Sequence, residues 1–227
     1  MQNNKINTWI RVAVAICGVA LFTVLFVPIW RIDLAAPQYP EGLRLLIYAN
    51  KLGGDFEIIN GLNHYIGMKT LHADDFIEFS VLSYIIGFYA LLFIIVAAVG
   101  NKKFMYVLLG LFAAFGVLAM VDFWRWEYNY GHNLDPKAAI IVPGMAYQPP
   151  LIGYKQLLNF GAYSIPDIGG WIFIAVGILL LTFVIIEIRL TSKNKKNVST
   201  PLLILFIGST FLFTSCSTQP KPVKLGI

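Results

Sequence analysis

The sequence predicts an all-α membrane protein, and three observations carry the prediction. The chain is 58% hydrophobic and only 13% charged, more apolar side chain than a soluble domain of 227 residues needs. It contains four apolar runs of about 20 residues, the length that crosses a bilayer core. Eight of its 17 lysines and arginines lie in the short connections on one side of those runs with a single acid nearby, the pattern of cytoplasmic loops, while the two long segments hold seven together with most of the acids.

The first run extends from Val12 to Trp30, with Trp9 and Trp30 at its ends, where tryptophan favours the membrane interface. Phe26-Val27-Pro28-Ile29-Trp30 offers no small-x-small cleavage site, so the run reads as a retained anchor rather than a signal peptide. Residues 31–77 form a polar segment that Pro37 and Pro40 open in extended conformation. Within it, Leu43 to Ala49 fits either a strand or a short surface helix, and Gly53-Gly54-Asp55 is a turn. Phe79 to Gly100 is the second span, Asn101-Lys102-Lys103 a short basic turn, and Phe104 to Trp124 the third span. Residues 125–166 form a second polar segment rich in proline, tyrosine and glycine, and Ile168 to Ile188 is the fourth span. The division is thus a four-span domain, residues 1–188, followed by residues 189–227. The latter hold a basic linker, a shorter fifth apolar run from Pro201 to Phe213, and a polar tail.

Lys5, Arg11, Lys102, Lys103, Arg189, Lys193, Lys195 and Lys196 all fall on one side of this arrangement. The bias predicts a multi-pass protein of the cytoplasmic (inner) membrane. Its N-terminus is inside, and segments 31–77 and 125–166 and the C-terminus face the periplasm. Topology then accounts for the net charge of +5, and nucleic acid is not an expected partner. Of the twelve acids, only Glu187 lies near the basic side. No span carries a central charge, which argues against an ion-coupled transporter. No Walker loop, nucleophile elbow or HExxH occurs, so no enzyme is expected. Cys17 and Cys216 form no metal or redox motif.

The chemistry-bearing residues lie in the two polar segments. Asn60 to Asp75 holds His64, Met68 and His72, which share one face if residues 61–72 are helical. Imidazole and thioether ligands on one stripe suit copper, especially the reduced ion. Gly61 and Gly67 count against the helix, and a surface loop with solvated side chains is the plainer reading. His132 and Met145 lie in the second segment, so a copper site joining both segments is geometrically open. His132 also sits in a turn-forming context, Gly131 to Pro136, and Met145 fits simple packing. Trp124, Trp126, Tyr128 and Tyr130 sit where an interfacial aromatic belt belongs.

The stretches APQYPEGL (36–43), INGLNHYIGM (59–68) and YGHNLDP (130–136) resemble a family of small membrane proteins that accompany nitrous oxide reductase maturation genes. The resemblance covers roughly residues 30–170 and implies a context of copper-site assembly. The C-terminal FLFTSCSTQPKPVKLGI resembles the leader of a NosL-type copper-binding lipoprotein, with Cys216 at the lipidation position. That family's copper motif does not appear before Ile227.

The leading expectation is a membrane accessory protein for copper handling. It would serve assembly of a periplasmic copper enzyme of the nitrous oxide reductase type, with a NosL-type copper chaperone and that enzyme as partners. The alternative is a membrane scaffold that docks a periplasmic partner without binding metal. A haem or quinone redox subunit is a third, weaker rival.

Overall fold

The computed structural model describes residues 4–193. The fifth apolar run, Cys216 and the tail lie outside the described residues. Among the described residues four helices are long and apolar enough to cross a membrane: α1 (Thr8–Thr23, continued by a 3-10 turn to Phe26), α3 (Ile77–Val99), α4 (Lys102–His132) and α5 (Ile168–Lys193). Their mutual faces bury Ile10, Val14, Cys17 and Leu21 of α1, Phe93 and Val96 of α3, Met105, Leu108 and Phe112 of α4, and Val176 and Leu180 of α5. The three-to-four spacing along α1 presents one apolar stripe to the bundle, while Val12, Ile16 and Val19 point outward. Apolar side chains facing outward on every long helix are what a lipid surround requires.

The fold is not purely helical, and here the all-α expectation is corrected. Between the spans lies a five-stranded antiparallel sheet in the order β3-β2-β1-β5-β4. Its strands are β1 (Trp30–Ala36), β2 (Tyr39–Ile47), β3 (Leu52–Gly54), β4 (Gly153–Leu157) and β5 (Phe160–Pro166). β1 pairs with β2 from its own segment and with β5 from the distant one, running from Trp30↔Pro166 to Ala35↔Gly161. The residues dictate this by alternation. Trp30 and Ile32 of β1 and Leu43 and Leu45 of β2 are buried, while Arg31, Asp33 and Arg44 stand on the other face. Leu43 to Ala49, open between strand and helix in the sequence, is strand through Ile47.

The sheet is tied directly to the bundle. β1 follows α1 and β5 runs into α5, and the two junctions are laced together: the Asp167 N–H donates to Ile29 O at 3.0 Å and the Gly169 N–H to Pro28 O at 2.8 Å. The Trp30 indole donates to Ser164 Oγ at 2.8 Å across the buried face. On that face lie α2 (Phe56–Ile66), the segment after it and the last turns of α4, through Ile59, Leu71, Met120, Phe123, Trp126 and Tyr130. At about 1.5 Å per residue, the 31 residues of α4 extend about 46 Å, well past a hydrocarbon core of about 30 Å. Its apolar run ends at Trp124, and the turns beyond pack on the sheet. Together these elements form a cap at one end of the bundle.

The opposite end carries Lys5, Arg11, Lys102 and Lys103. The Ile6 N–H donates to Gly100 O at 2.8 Å and the Lys102 N–H to Asn4 O at 3.0 Å. The Arg11 guanidinium donates to Ala97 O and Ala98 O, closing the C-terminus of α3. Glu187 is buried there, with Lys102 Nζ at 2.9 Å and the Asn7 N–H at 2.7 Å.

Candidate functional site

The two polar segments of the cap interlock around the end of α4. Helix α2 stops at Ile66 because Gly67 takes a left-handed conformation, φ 78°, which glycine tolerates without cost to a side chain. A Cβ at Gly67 would also meet Asp135 O at 2.9 Å, so the close approach of the second segment requires glycine. The chain then runs on to Leu71, held on both sides. The Asp135 N–H donates to Gly67 O at 2.8 Å, and the Tyr130 hydroxyl donates to Lys69 O at 2.5 Å while accepting from Asn63 Nδ2 at 2.6 Å. Buried Asn60 grips the backbone of Leu71 twice, donating to its carbonyl at 3.0 Å and accepting from its N–H at 2.7 Å. Burial pushes the Tyr130 phenol up, keeping it protonated as a donor.

The helix end at Ile66 means that His64, Met68 and His72 do not share a helical face. His64 is exposed on the last turn of α2, against the edge of the Tyr65 ring. Met68 is buried, and His72 is exposed at the entry to the 3-10 turn Ala73–Asp75. His132 is the last residue of α4 rather than part of a loop, and Met145 is half-buried beyond it. The structure therefore puts His64 and His132 on interlocked segments. Among the described residues no group of three or more His, Cys, Asp or Glu is placed to hold a metal ion.

His132 has defined chemistry of its own. Its ring stacks on Tyr128, centroids 4.0 Å apart, and its Nδ1 lies 2.9 Å from Tyr128 O. A carbonyl oxygen only accepts, so the neutral ring carries its proton on Nδ1 and leaves Nε2 with a free lone pair. Trp124, Tyr128 and His132 thus make an exposed ladder on one face of α4, while Phe123, Trp126 and Tyr130 stack on the face buried against the sheet. The aromatic belt of the sequence is split into two stripes with different surroundings.

Sequence reasoning missed Glu127. It is fully buried past the apolar run of α4, and neither carboxyl oxygen has a hydrogen-bond partner. Burial pushes its carboxyl up to about 8, partly offset by the charge of Lys155, whose ammonium is bonded to Gln148 O at 3.0 Å. The Tyr147 hydroxyl is likewise buried without a partner. Tyr147 belongs to the contact between α4 and the segment leading into β4. The Tyr147 N–H donates to Gly131 O at 2.9 Å, and a Cβ on Gly131 would lie 2.3 Å from Gln148 N. An acid embedded in the aromatic run WRWEYNY, on a helix that continues past the span, was the available signal.

Compared with protein-family models, curated proteins and solved structures, the chain has no match.

Proposed function

We propose that the protein is a membrane-anchored scaffold of the cytoplasmic membrane whose cap docks a partner on the outer side. One observation carries this reading: the interlocked cap displays apolar side chains that nothing among the described residues covers. Ile58 and Tyr65 lie two turns apart on one face of α2, 40% and 57% exposed, and the Ile140 N–H donates to Tyr65 O. Ile140 and Ile141 add 50% and 60% exposed side chains to the same neighbourhood. Contiguous exposed apolar surface rimmed by polar groups marks interaction sites. The basic end lies opposite the cap, and its short connections carry Lys5, Arg11, Lys102, Lys103 and Arg189 with Glu187 as the one nearby acid among the described residues, which supports a cytoplasmic placement. The test is in-cell photo-crosslinking from position 141. A discrete protein adduct, lost when Tyr65 and Ile140 become aspartate, is expected. Crosslinks to lipid alone, unaffected by those changes, would refute docking.

A second reading has its own support. The bare Nε2 of His132, with Nδ1–H held by a backbone carbonyl, is the arrangement that metal-binding histidines adopt. With exposed His64 on the interlocked segment, it favours copper handling for a periplasmic enzyme, the context implied by the sequence resemblance. Copper(I) competition against a chelator checks this: His132→Ala and His64→Ala should each weaken binding at least tenfold. Parent-like affinity in both would leave the scaffold alone.

A further inference from the structure

The face of the sheet turned away from α4 carries charge close to the spans. Arg31 stands on that face between Leu46 of β2 and Ile165 of β5, its partners in register. Its guanidinium lies between two carboxylates, with Nε 3.5 Å from Asp33 Oδ2 and Nη1 3.9 Å from Asp167 Oδ2. Neither contact is a hydrogen bond, and among the described residues even the buried Nε has no acceptor. Asp167 accepts the first N–H of α5, that of Ile168, on Oδ1 at 2.6 Å, and its Oδ2 faces Arg31. One turn further along α5, Trp171 is 55% exposed, and tryptophan marks the membrane interface. Asp167 precedes it by four residues, about 6 Å further out, inside a headgroup layer of about 5–8 Å on each side of the hydrocarbon. Below Trp171, exposed Ile174 and Ile178 continue the same stripe into the span.

We propose that Arg31 and Asp167 hold the headgroup of a zwitterionic phospholipid with a primary amine, of the phosphatidylethanolamine type, in the leaflet on the cap's side. The phosphate accepts from the Arg31 guanidinium, the ammonium donates to Asp167 Oδ2, and an acyl chain follows Trp171, Ile174 and Ile178. Charge complementarity selects this head. One guanidinium flanked by two carboxylates offers no net positive field to a purely anionic lipid, whereas a head carrying both signs meets both. The planar fork of arginine suits phosphate oxygens, and its N–H groups here are unspent. A primary ammonium brings N–H donors to the carboxylate, which a quaternary ammonium lacks. The Arg31 side chain is 32% exposed, open enough to be reached and fixed enough to position its fork. Asp33 is held by Arg44 Nε at 2.7 Å one row further from the spans, so Asp167 is the carboxylate left for the amine. This inference rests on neither partner docking nor copper.

Native mass spectrometry of the full chain tests it. The protein in detergent is incubated with an equimolar mixture of phosphatidylethanolamine, phosphatidylcholine and phosphatidylglycerol of matched acyl chains. Phosphatidylethanolamine should be retained over each competitor by about tenfold, the effect of one hydrogen bond between charged groups. Asp167→Asn keeps an oxygen for the Ile168 N–H but removes the charge that meets the amine. In that variant the preference over phosphatidylcholine should vanish while phospholipid is still retained. Arg31→Gln should lower retention of both lipids by about tenfold; if it fails to fold, Asp167→Asn carries the test alone. Equal retention of the three lipids by the parent would overturn the site, as would an Asp167→Asn protein with the parent's preference. Three further results would also overturn it. Selective retention of phosphatidylglycerol would mean an anion site. Soluble glycerophosphoethanolamine bound as tightly as the lipid would place the ligand in solution. A parent dimer that Arg31→Gln converts to monomer would assign the face to a second copy of the chain.

Discussion

The two ends of the bundle solve the same problem, closing a set of apolar helices, in opposite ways. At the basic end the closure is short and polar groups are matched. Glu187 has both carboxyl oxygens engaged, Lys102 reaches Glu187 and also Thr191 Oγ1 at 2.9 Å, and Arg11 satisfies two terminal carbonyls of α3. At the cap end the closure takes a five-stranded sheet, a helix and two further turns of α4. That larger structure leaves Glu127 and Tyr147 buried without partners and Ile140 and Ile141 exposed. Matched groups at one end and unmatched groups at the other divide structure from function: an end that only holds helices together has no reason to keep unsatisfied polar atoms or bare apolar surface.

The largest expected effect is at the basic end. Glu187→Ala would leave the largely buried Lys102 ammonium with no counter-charge and the Asn7 N–H without its acceptor, which costs about 3–5 kcal/mol when a buried pair is broken from one side. Thermal unfolding in detergent should show a large drop. Replacing both partners, Lys102→Met with Glu187→Leu, should recover most of it, because two matched apolar groups leave nothing unpaired. If the double variant is as unstable as the single, the pair is more than a closure and the division between the two ends weakens.

The second effect concerns pH at the cap. Glu127 has an ordinary value of 4.5 in the unfolded chain and is raised to about 8 by burial. Between those values the unfolded chain has released the proton while the folded chain keeps it. Stability contributed by this group is therefore full below about 4.5 and is lost as pH rises toward 8. Glu127→Gln, which cannot ionise, should flatten the fall between pH 5 and 8 and be more stable than the parent at pH 8. Urea unfolding of the cap across that range checks it, and parallel curves for the two proteins would mean that Glu127 finds a partner in solution.

How much of this was legible in the sequence follows from the length of each signal. The spans were, because about 20 apolar residues in a row have few other readings. The third span was read to Trp124 while α4 runs to His132, since Arg125 and Glu127 look like the end of a span even when the helix continues against protein. The sheet was not legible. WRIDLAA alternates, but its alternation is only a few residues long and abuts the first apolar run, and its partner β5 lies 130 residues away. In the site, the four-residue steps from His64 to His72 presumed a helix that Gly67 ends. The pins that shape the cap, Asn60 and Asn63, carried no signal, since an asparagine that holds a distant backbone is indistinguishable in sequence from one in a loop.

The smallest effect sharpens the comparison by setting one ion pair against another. On the outer face of the sheet, Arg44 Nε lies 2.7 Å from Asp33 Oδ1, shorter than the Lys102–Glu187 contact at 2.9 Å. Distance alone would rank it the stronger. Its side chains are 56% and 31% exposed, against 12% and 2% at the basic end, so water screens it and competes for both groups. Asp33 also has Arg31 at 3.5 Å, which keeps it compensated when Arg44 is removed. Arg44→Ala should therefore cost only about 0.2–1 kcal/mol, and raising the salt to 1 M should erase most of the difference from the parent. The Glu187 variant should keep its deficit in the same salt, because the group it strands is buried. If Arg44→Ala instead destabilises the cap as much as Glu187→Ala destabilises the bundle, in a salt-independent way, then the polar face of the sheet is covered in the working protein. That result would add a second contact surface to the cap.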